Sequence, residues 1–261
     1  MPHVTRISIT PVKSMRLHHP DRVRVETFGV LENRRFYVAE PGGRLINNVQ
    51  CGPLQRIRSE WDPQTERLAL HFPDGRVAEG DGSDVDGQVR TVFYQHLETG
   101  RVVGGPFSDA LSEYVGRPVV LARTDEPGAG SDSFPVSLYS QASAEEIDRR
   151  AGRTDAHDRR RWRMLLEVDE VGPHEEDRWI GCRVAVGDAV FRVAKQVGRC
   201  VITTQDPETG VPDFDTLRTI KSYRPLRNGK SLDFGVYAEV EVPGSVGMGD
   251  AVEVLEPATA R

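Results

Sequence analysis

Apolar and polar residues alternate along this chain in short runs, and few stretches repeat at helical spacing. Residues 4–9 alternate as a strand that Thr10-Pro11 ends. Val23 and Val25, then residues 36–39, predict two more strands, with Gly42-Gly43 as a hairpin turn between Val38 and Leu45. Short strands follow over 55–60, 67–70, 77–79, 89–94 and 119–122, punctuated by turns at Trp61-Asp62-Pro63 and Phe72-Pro73-Asp74-Gly75. Residues 108–115, closed by Gly116, read as a short helix. In the second half, 136–139, 164–168, 184–186, 189–194, 234–242 and 252–255 predict strands. Ser143-Ala-Glu-Glu146 reads as a capping box opening a helix that Gly152 ends, and 215–223 fits a helix with Leu217, Ile220 and Tyr223 on one face. The pattern is that of a mainly β chain with a few short helices. Residues 125–133 (DEPGAGSDS) read as a linker and divide the chain into segments 1–124 and 134–258.

Composition narrows the class. At 261 residues, with 38% hydrophobic and 28% charged content, the chain can bury one large core or two modest ones. No apolar run reaches the length of a membrane-spanning helix, and the first residues lack the basic-then-apolar order of a secretory signal. Three widely spaced cysteines (Cys51, Cys182, Cys200) offer neither a disulfide framework nor a CxxC pair, which fits a reducing cytoplasm. They also fall short of the four that an iron–sulfur cluster requires. A net charge of −6 argues against a nucleic-acid partner. The run Arg159-Arg160-Arg161-Trp162-Arg163, in acidic surroundings, reads as a solvated helix end.

Candidate chemistry gathers at two places. The predicted strand over 189–194 runs into Lys195 and then Gly198-Arg199-Cys200, with hydroxyls at Thr203 and Thr204. Positive charge beside a thiol favours the thiolate, the form that ligates metals or attacks electrophiles. A lone cysteine near a strand end is otherwise a small core hydrophobe, which the local pattern fits slightly better. The loop Pro11-Val12-Lys13-Ser14 combines an ammonium, a hydroxyl and adjacent N–H groups, a set that can hold a phosphate. Arg34 and Arg35 precede a strand, where neighbours point to opposite faces, so at most one can face a given pocket.

The segments GRCVITTQDPETG, LRTIKSYR and FGVYAEVEVPGSVGMGDAVEVL resemble the MOSC domain, and ISITPVKSM with ENRRFYVAEPGGRLINN resembles the β-barrel domain that precedes it in the amidoxime-reducing, bacterial and mitochondrial, branch. The resemblance implies two β-barrel domains and a molybdenum–pterin cofactor (Moco) ligated by Cys200. It further implies cofactor contacts from Lys13, Ser14, Arg35, Arg163, Arg199 and Tyr237, with Lys195 adding to the positive field. Where the family has Arg-Pro-Asn, this chain has Arg163-Met164-Leu165, so an asparagine contact is lost. The implied reaction is reduction of a small N-hydroxylated substrate, with electrons from a separate donor of ferredoxin or cytochrome type and its reductase. Such a donor is expected because no ferredoxin-like continuation follows residue 255. Two other readings stay open: a sulfur-transfer protein with a persulfide on Cys200, and a non-catalytic carrier of the cofactor. Pyridoxal phosphate is disfavoured, since neither motif lysine is set up to form a Schiff base.

Overall fold

In the computed structural model, residues 1–93 and 96–257 are described. The first strand, β1 (His3–Ile7), turns Val4 and Ile7 inward, and β2 (Arg22–Val25) alternates exposed arginine with buried valine. β3 (Phe36–Ala39) is buried throughout and returns through the glycine turn as β4 (Leu45–Ile46). Next come β5 (Arg58–Trp61), β6 (Arg67–His71), β7 (Val77–Asp81), β8 (Val85–Phe93) and β9 (His96–Val103). Helix α1 (Phe107–Val115) ends on Gly116 at φ 77, the left-handed cap that glycine adopts without a Cβ penalty, and β10 (Val120–Thr124) follows. The second half holds β11 (Val136–Ser140), α2 (Gln141–Arg150), β12 (Leu166–Asp169), β13 (Cys182–Val186) and β14 (Ala189–Gly198). It closes with α3 (Thr216–Tyr223), β15 (Asp233–Val242), β16 (Gly244–Gly247) and β17 (Val252–Pro257).

Seven strands form one sheet in the order β1-β12-β11-β15-β14-β13-β17, and a bridge between His3 and Ala251 draws its two edges together into a nearly closed barrel. Its interior is apolar and mostly aliphatic, with Ile7, Val25, Leu138, Val184 and Val236 buried around Phe191. The N-terminal strands therefore complete the C-terminal barrel: β1 pairs with β12, and β2 pairs with β16. A five-stranded sheet (β4-β3-β10-β9-β8) and a three-stranded one (β5-β6-β7) enclose a second core around Phe36, Leu54, Phe107 and Leu121. There Trp61 meets Phe36 edge to face, with centroids 5.4 Å apart. No helix among the described residues is long and apolar enough to cross a membrane.

Several local expectations shift. Residues 55–56 belong to a 3-10 helix, Gly52–Arg56, rather than to a strand. Helix α2 starts before Ser143, because the Ser140 hydroxyl accepts the Ser143 N–H and so caps it. Of the strand expected over 89–94, Tyr94 lies outside the described residues. The arginine run is not a solvated end. It forms a 3-10 helix, Arg159–Trp162, in which Arg161 is 2% exposed and paired with Asp213, while Arg159 pairs with Glu167. The buried Glu167 carboxylate explains the inversion for Arg159, and Asp213 with the carbonyls of Thr203 and Gln205 explains it for Arg161, since each guanidinium gains the partners it needs away from bulk water.

Candidate functional site

Strand β14 ends at Gly198, where an added Cβ would sit 2.6 Å from the Ser231 hydroxyl and displace it. Two residues on, Cys200 is extended (φ −128, ψ 178) and opens the 3-10 helix Val201–Thr204, with its carbonyl accepting the Thr203 hydroxyl at 3.0 Å. The thiol is exposed, so Cys200 is not the small core hydrophobe that its local pattern suggests. Beneath this turn Arg161 donates to the carbonyls of Thr203 (3.1 Å) and Gln205 (3.2 Å), fixing its path. Trp162 stacks on Phe234 with centroids 3.9 Å apart, and its carbonyl receives Arg199 Nη2 at 2.6 Å.

Both halves and the connecting segment line one cavity with Cys200 at its edge. Lys13, Ser14, Arg34, Asn47 and Asn48 come from the first half, and Asp132 from the connection. Arg163, Met164, Arg199, Cys200 and Tyr237 come from the second half. The loop that delivers Lys13 is tied to β3 by the Lys13 N–H, which donates to Phe36 O at 2.8 Å. Among the described residues, three of the seven non-glycine positions with left-handed backbones line this cavity: Ser14 (φ 76), Arg34 (φ 58) and Arg163 (φ 52). Strain of this kind persists only where surrounding contacts over-determine it, and it concentrates at functional sites. Here Arg34 Nη2 donates to Arg163 O (3.0 Å) and Arg163 Nη2 to Met15 O (2.7 Å), a clasp across the two halves.

Segment 125–133 does more than join the halves. A Cβ on Gly130 would lie 1.9 Å from Arg34 O, and one on Gly128 would lie 2.2 Å from Phe28 O, so only glycine lets the segment lie this close. It brings Asp132 Oδ1 to 2.8 Å from Lys13 Nζ, which also donates to Gly130 O at 2.9 Å.

Charge is unbalanced in the cavity. Lys13, Arg34, Arg163 and Arg199 face a single carboxylate among the described residues, Asp132. Burial pushes Lys13 below its usual range, with Asp132 acting the other way and Arg34 adding to the depression. Burial likewise brings Arg163 down to about 9, with Arg34 reinforcing it. Arg199 is lowered by burial too. Burial resists ionisation of Asp132, but Lys13 and Arg34 outweigh it and hold the carboxyl at about 2. Buried Arg199 Nε has no hydrogen-bond partner among the described residues. Cations held together out of water with too few counter-charges make a receptor for an anion.

Of the residues singled out from the sequence, Lys13, Ser14, Arg163, Arg199, Cys200 and Tyr237 share this cavity, and burial raises the Tyr237 phenol above its usual value. Arg35 does not. The backbone turns left-handed at Arg34, two residues before β3, so Arg34 reaches Arg163 while Arg35 enters the N-terminal core. There Arg35 Nη1 donates to Thr124 Oγ1 at 3.1 Å. Lys195 also lies off the lining, its ammonium 5.0 Å from the Phe134 ring centroid. Leu165, where the family has asparagine, is 3% exposed in the barrel core and does not line the cavity. Asp132, Asn47, Asn48 and Trp162 are additional lining residues. The doubled asparagine after a hairpin is a visible signal in the sequence; Asp132 is hidden by the polar composition around it. No cluster of three or more His, Cys, Asp or Glu side chains capable of holding a metal ion occurs among the described residues.

Comparison with known proteins bears on this geometry. A family model described as the MOSC domain matches residues 125–253, and one described as the MOSC N-terminal beta barrel domain matches residues 1–118. Mitochondrial amidoxime-reducing component 1 of Danio rerio is 30% identical over 95% of this chain and 83% of its own length. The Mus musculus component 1 is 34% identical over 51% of this chain. That match spans 40% of the mouse protein, about two fifths of its length. Molybdenum cofactor sulfurase of Oryza sativa subsp. japonica is 25% identical over 92% of this chain and 32% of its own length.

Proposed function

The chain belongs to the MOSC-domain family, in the branch that includes the amidoxime-reducing components, and on that premise we propose that it binds a molybdenum–pterin cofactor and reduces N-hydroxylated small molecules. The observation that carries this reading is the cation-rich cavity with an exposed thiol on its lining. The pterin phosphate is an anion of the kind such a cavity can neutralise, and the orphaned Arg199 Nε is a donor still lacking an acceptor. Cys200 brings the one thiol on the lining among the described residues, and soft sulfur suits a thiophilic metal whose other sulfur ligands the pterin brings itself.

In this reading Lys13, Ser14, Arg34 and Arg163 hold the phosphate end, and Arg199 keeps positive charge next to Cys200. When bound, the cofactor supplies a two-electron redox centre able to accept oxygen. In the net reaction the substrate's N–OH group takes up two electrons and two protons, the N–O bond breaks, and an N–H group and one water are released. The electrons come from a separate protein donor. The open edge at Cys200 leaves room for a small substrate to approach. The cytoplasm is the compartment in which a free, exposed thiol of this kind stays reduced.

Protein made in a host that synthesises the cofactor should carry near-stoichiometric molybdenum by elemental analysis. Cys200→Ser should lose most of it with an unchanged circular dichroism spectrum and melting temperature. A second reading, sulfur transfer, draws on the same exposure of Cys200 and on the likeness to the sulfurase. Wild-type protein free of molybdenum but bearing a persulfide on Cys200 by mass spectrometry would select that reading. Bound molybdenum with no turnover of a benzamidoxime under chemical reductant would select a carrier.

A further inference from the structure

The segment TLRTIKSYRPLRNGK (residues 216–230) places a basic residue at every third position: Arg218, Lys221, Arg224, Arg227 and Lys230. No acidic residue interrupts it, in a chain whose net charge is −6. Two of the five are committed, Arg224 to Asp177 at 2.5 Å and Arg227 to Asp233 at 2.7 Å. Arg218, Lys221 and Lys230 are exposed, and no carboxylate among the described residues pairs with them. Carboxylates just upstream are otherwise engaged. Glu208 pairs with Arg16 and Arg160, Asp213 with Arg161, and Asp215 accepts the Arg218 N–H as the N-cap of α3.

This stripe lies against the Cys200 turn. Helix α3 packs on the 3-10 helix Val201–Thr204, where the Thr203 and Thr216 hydroxyls are 2.7 Å apart. The turn carrying Lys230 abuts the end of β14: Arg199 N–H donates to Leu232 O at 2.7 Å, and Ser231 fills the space beside Gly198. Two large apolar side chains are exposed within the same surface, Val201 (44%) and Leu226 (37%). Apolar residues bordered by unpaired cations are the makings of a docking patch whose partner carries negative charge, because complementary charge steers encounter and fixes orientation.

We infer that the face formed by α3 and the 226–231 turn docks an acidic one-electron carrier protein, which delivers the two electrons of N–O cleavage in successive encounters beside Cys200. This rests on the proposed reduction, since only a redox site needs a carrier at this edge. The carrier approaches over α3 and leaves the cavity mouth to the substrate.

The test uses cofactor-loaded full-length protein and two acidic probes, a plant-type [2Fe–2S] ferredoxin and a soluble b-type cytochrome domain. Binding is measured by biolayer interferometry across a salt series, and turnover of a benzamidoxime is measured with the reduced carrier and, separately, with reduced methyl viologen. Wild-type protein should bind at least one probe with an affinity that falls steeply with salt. The triple variant Arg218→Glu/Lys221→Glu/Lys230→Glu should bind it at least about tenfold more weakly and lose carrier-driven turnover to a similar degree. Its methyl viologen-driven turnover should match wild type, and Arg44→Glu/Arg90→Glu, on the N-terminal sheet, should leave carrier binding unchanged. The docking proposal is overturned if neither probe binds, if the triple variant binds like wild type, or if the face binds acidic phospholipid vesicles and no carrier. Absence of methyl viologen turnover in wild type would sink the reductase reading instead, and the binding data would still decide the docking surface.

Discussion

Two neighbouring arginines, Arg34 and Arg35, leave the chain in different directions, and one backbone angle decides which serves the cavity. Strand alternation correctly allows only one of them to face it. Alternation could not say which, because the left-handed turn at Arg34 (φ 58) is set by distant contacts, Thr10 O on its N–H and Arg163 O on its guanidinium. The two should therefore separate cleanly in experiment. Arg34→Met should cut molybdenum content several-fold with little change in melting temperature. Arg35→Met should leave molybdenum content near wild type and destabilise the fold by ~1–3 kcal/mol, because it strips a buried partner from Thr124. Equal effects of the two on metal content would contradict the assignment of the cavity to Arg34. Lys13, Arg163 and Cys200 were legible as residues because their motifs are compact. Asp132 was not, since its role depends on Gly128 and Gly130 letting an ordinary-looking polar segment press against Phe28 and Arg34.

At the scale of elements, strands with clean alternation, such as β14 and β15, stand close to where the pattern puts them. β9 (HLETGRVV) and β16 (GSVG) escape notice because too few apolar residues mark them; their places come from pairing with β8 and β2. The 3-10 helix Glu175–Trp179 is anchored in a comparably non-local way. Glu176, wholly buried, holds both carboxylate oxygens against the Ser143 hydroxyl of α2, at 2.9 and 3.0 Å. Burial lifts its pKa to about 7 from an ordinary 4.5, and the Ser143 hydrogen bond only partly offsets this. Between those two values the unfolded chain releases a proton that the folded chain keeps, so the fold loses stability as pH rises and the full penalty applies above pH 7. Glu176→Gln ionises in neither state. Its melting temperature relative to wild type should thus rise from pH 4 to pH 8, by an amount reflecting at most about 3 kcal/mol. A difference that stays flat across pH would show that Glu176 is not a titrating anchor.

The whole molecule is braided rather than strung together. The sequence reads as two segments flanking a linker, yet β1 lies between β12 and the Ala251 end of β17, and β2 pairs with β16. Val4, Ile7, Ile9, Val23, Val25 and Val30 are all buried in the C-terminal barrel core. At ~1.5–3 kcal/mol per buried aliphatic side chain, these six contribute roughly 10–20 kcal/mol, as much as the entire stability of a typical domain, about 5–15 kcal/mol. Exchange of this kind also explains how Lys13 and Ser14 reach the Cys200 cavity: the loop that carries them leaves a strand already woven into the opposite barrel. Residues 126–257 expressed alone should therefore lack a cooperative melt and the near-ultraviolet dichroism of packed aromatics such as Trp162 on Phe234. Adding a peptide of residues 1–31 should restore both, but not cofactor retention, because Arg34 and the Asn47-Asn48 pair of the cavity lie outside it. A well-folded isolated fragment would mean that the six side chains are dispensable, and that the cavity forms by simple docking of two independent barrels.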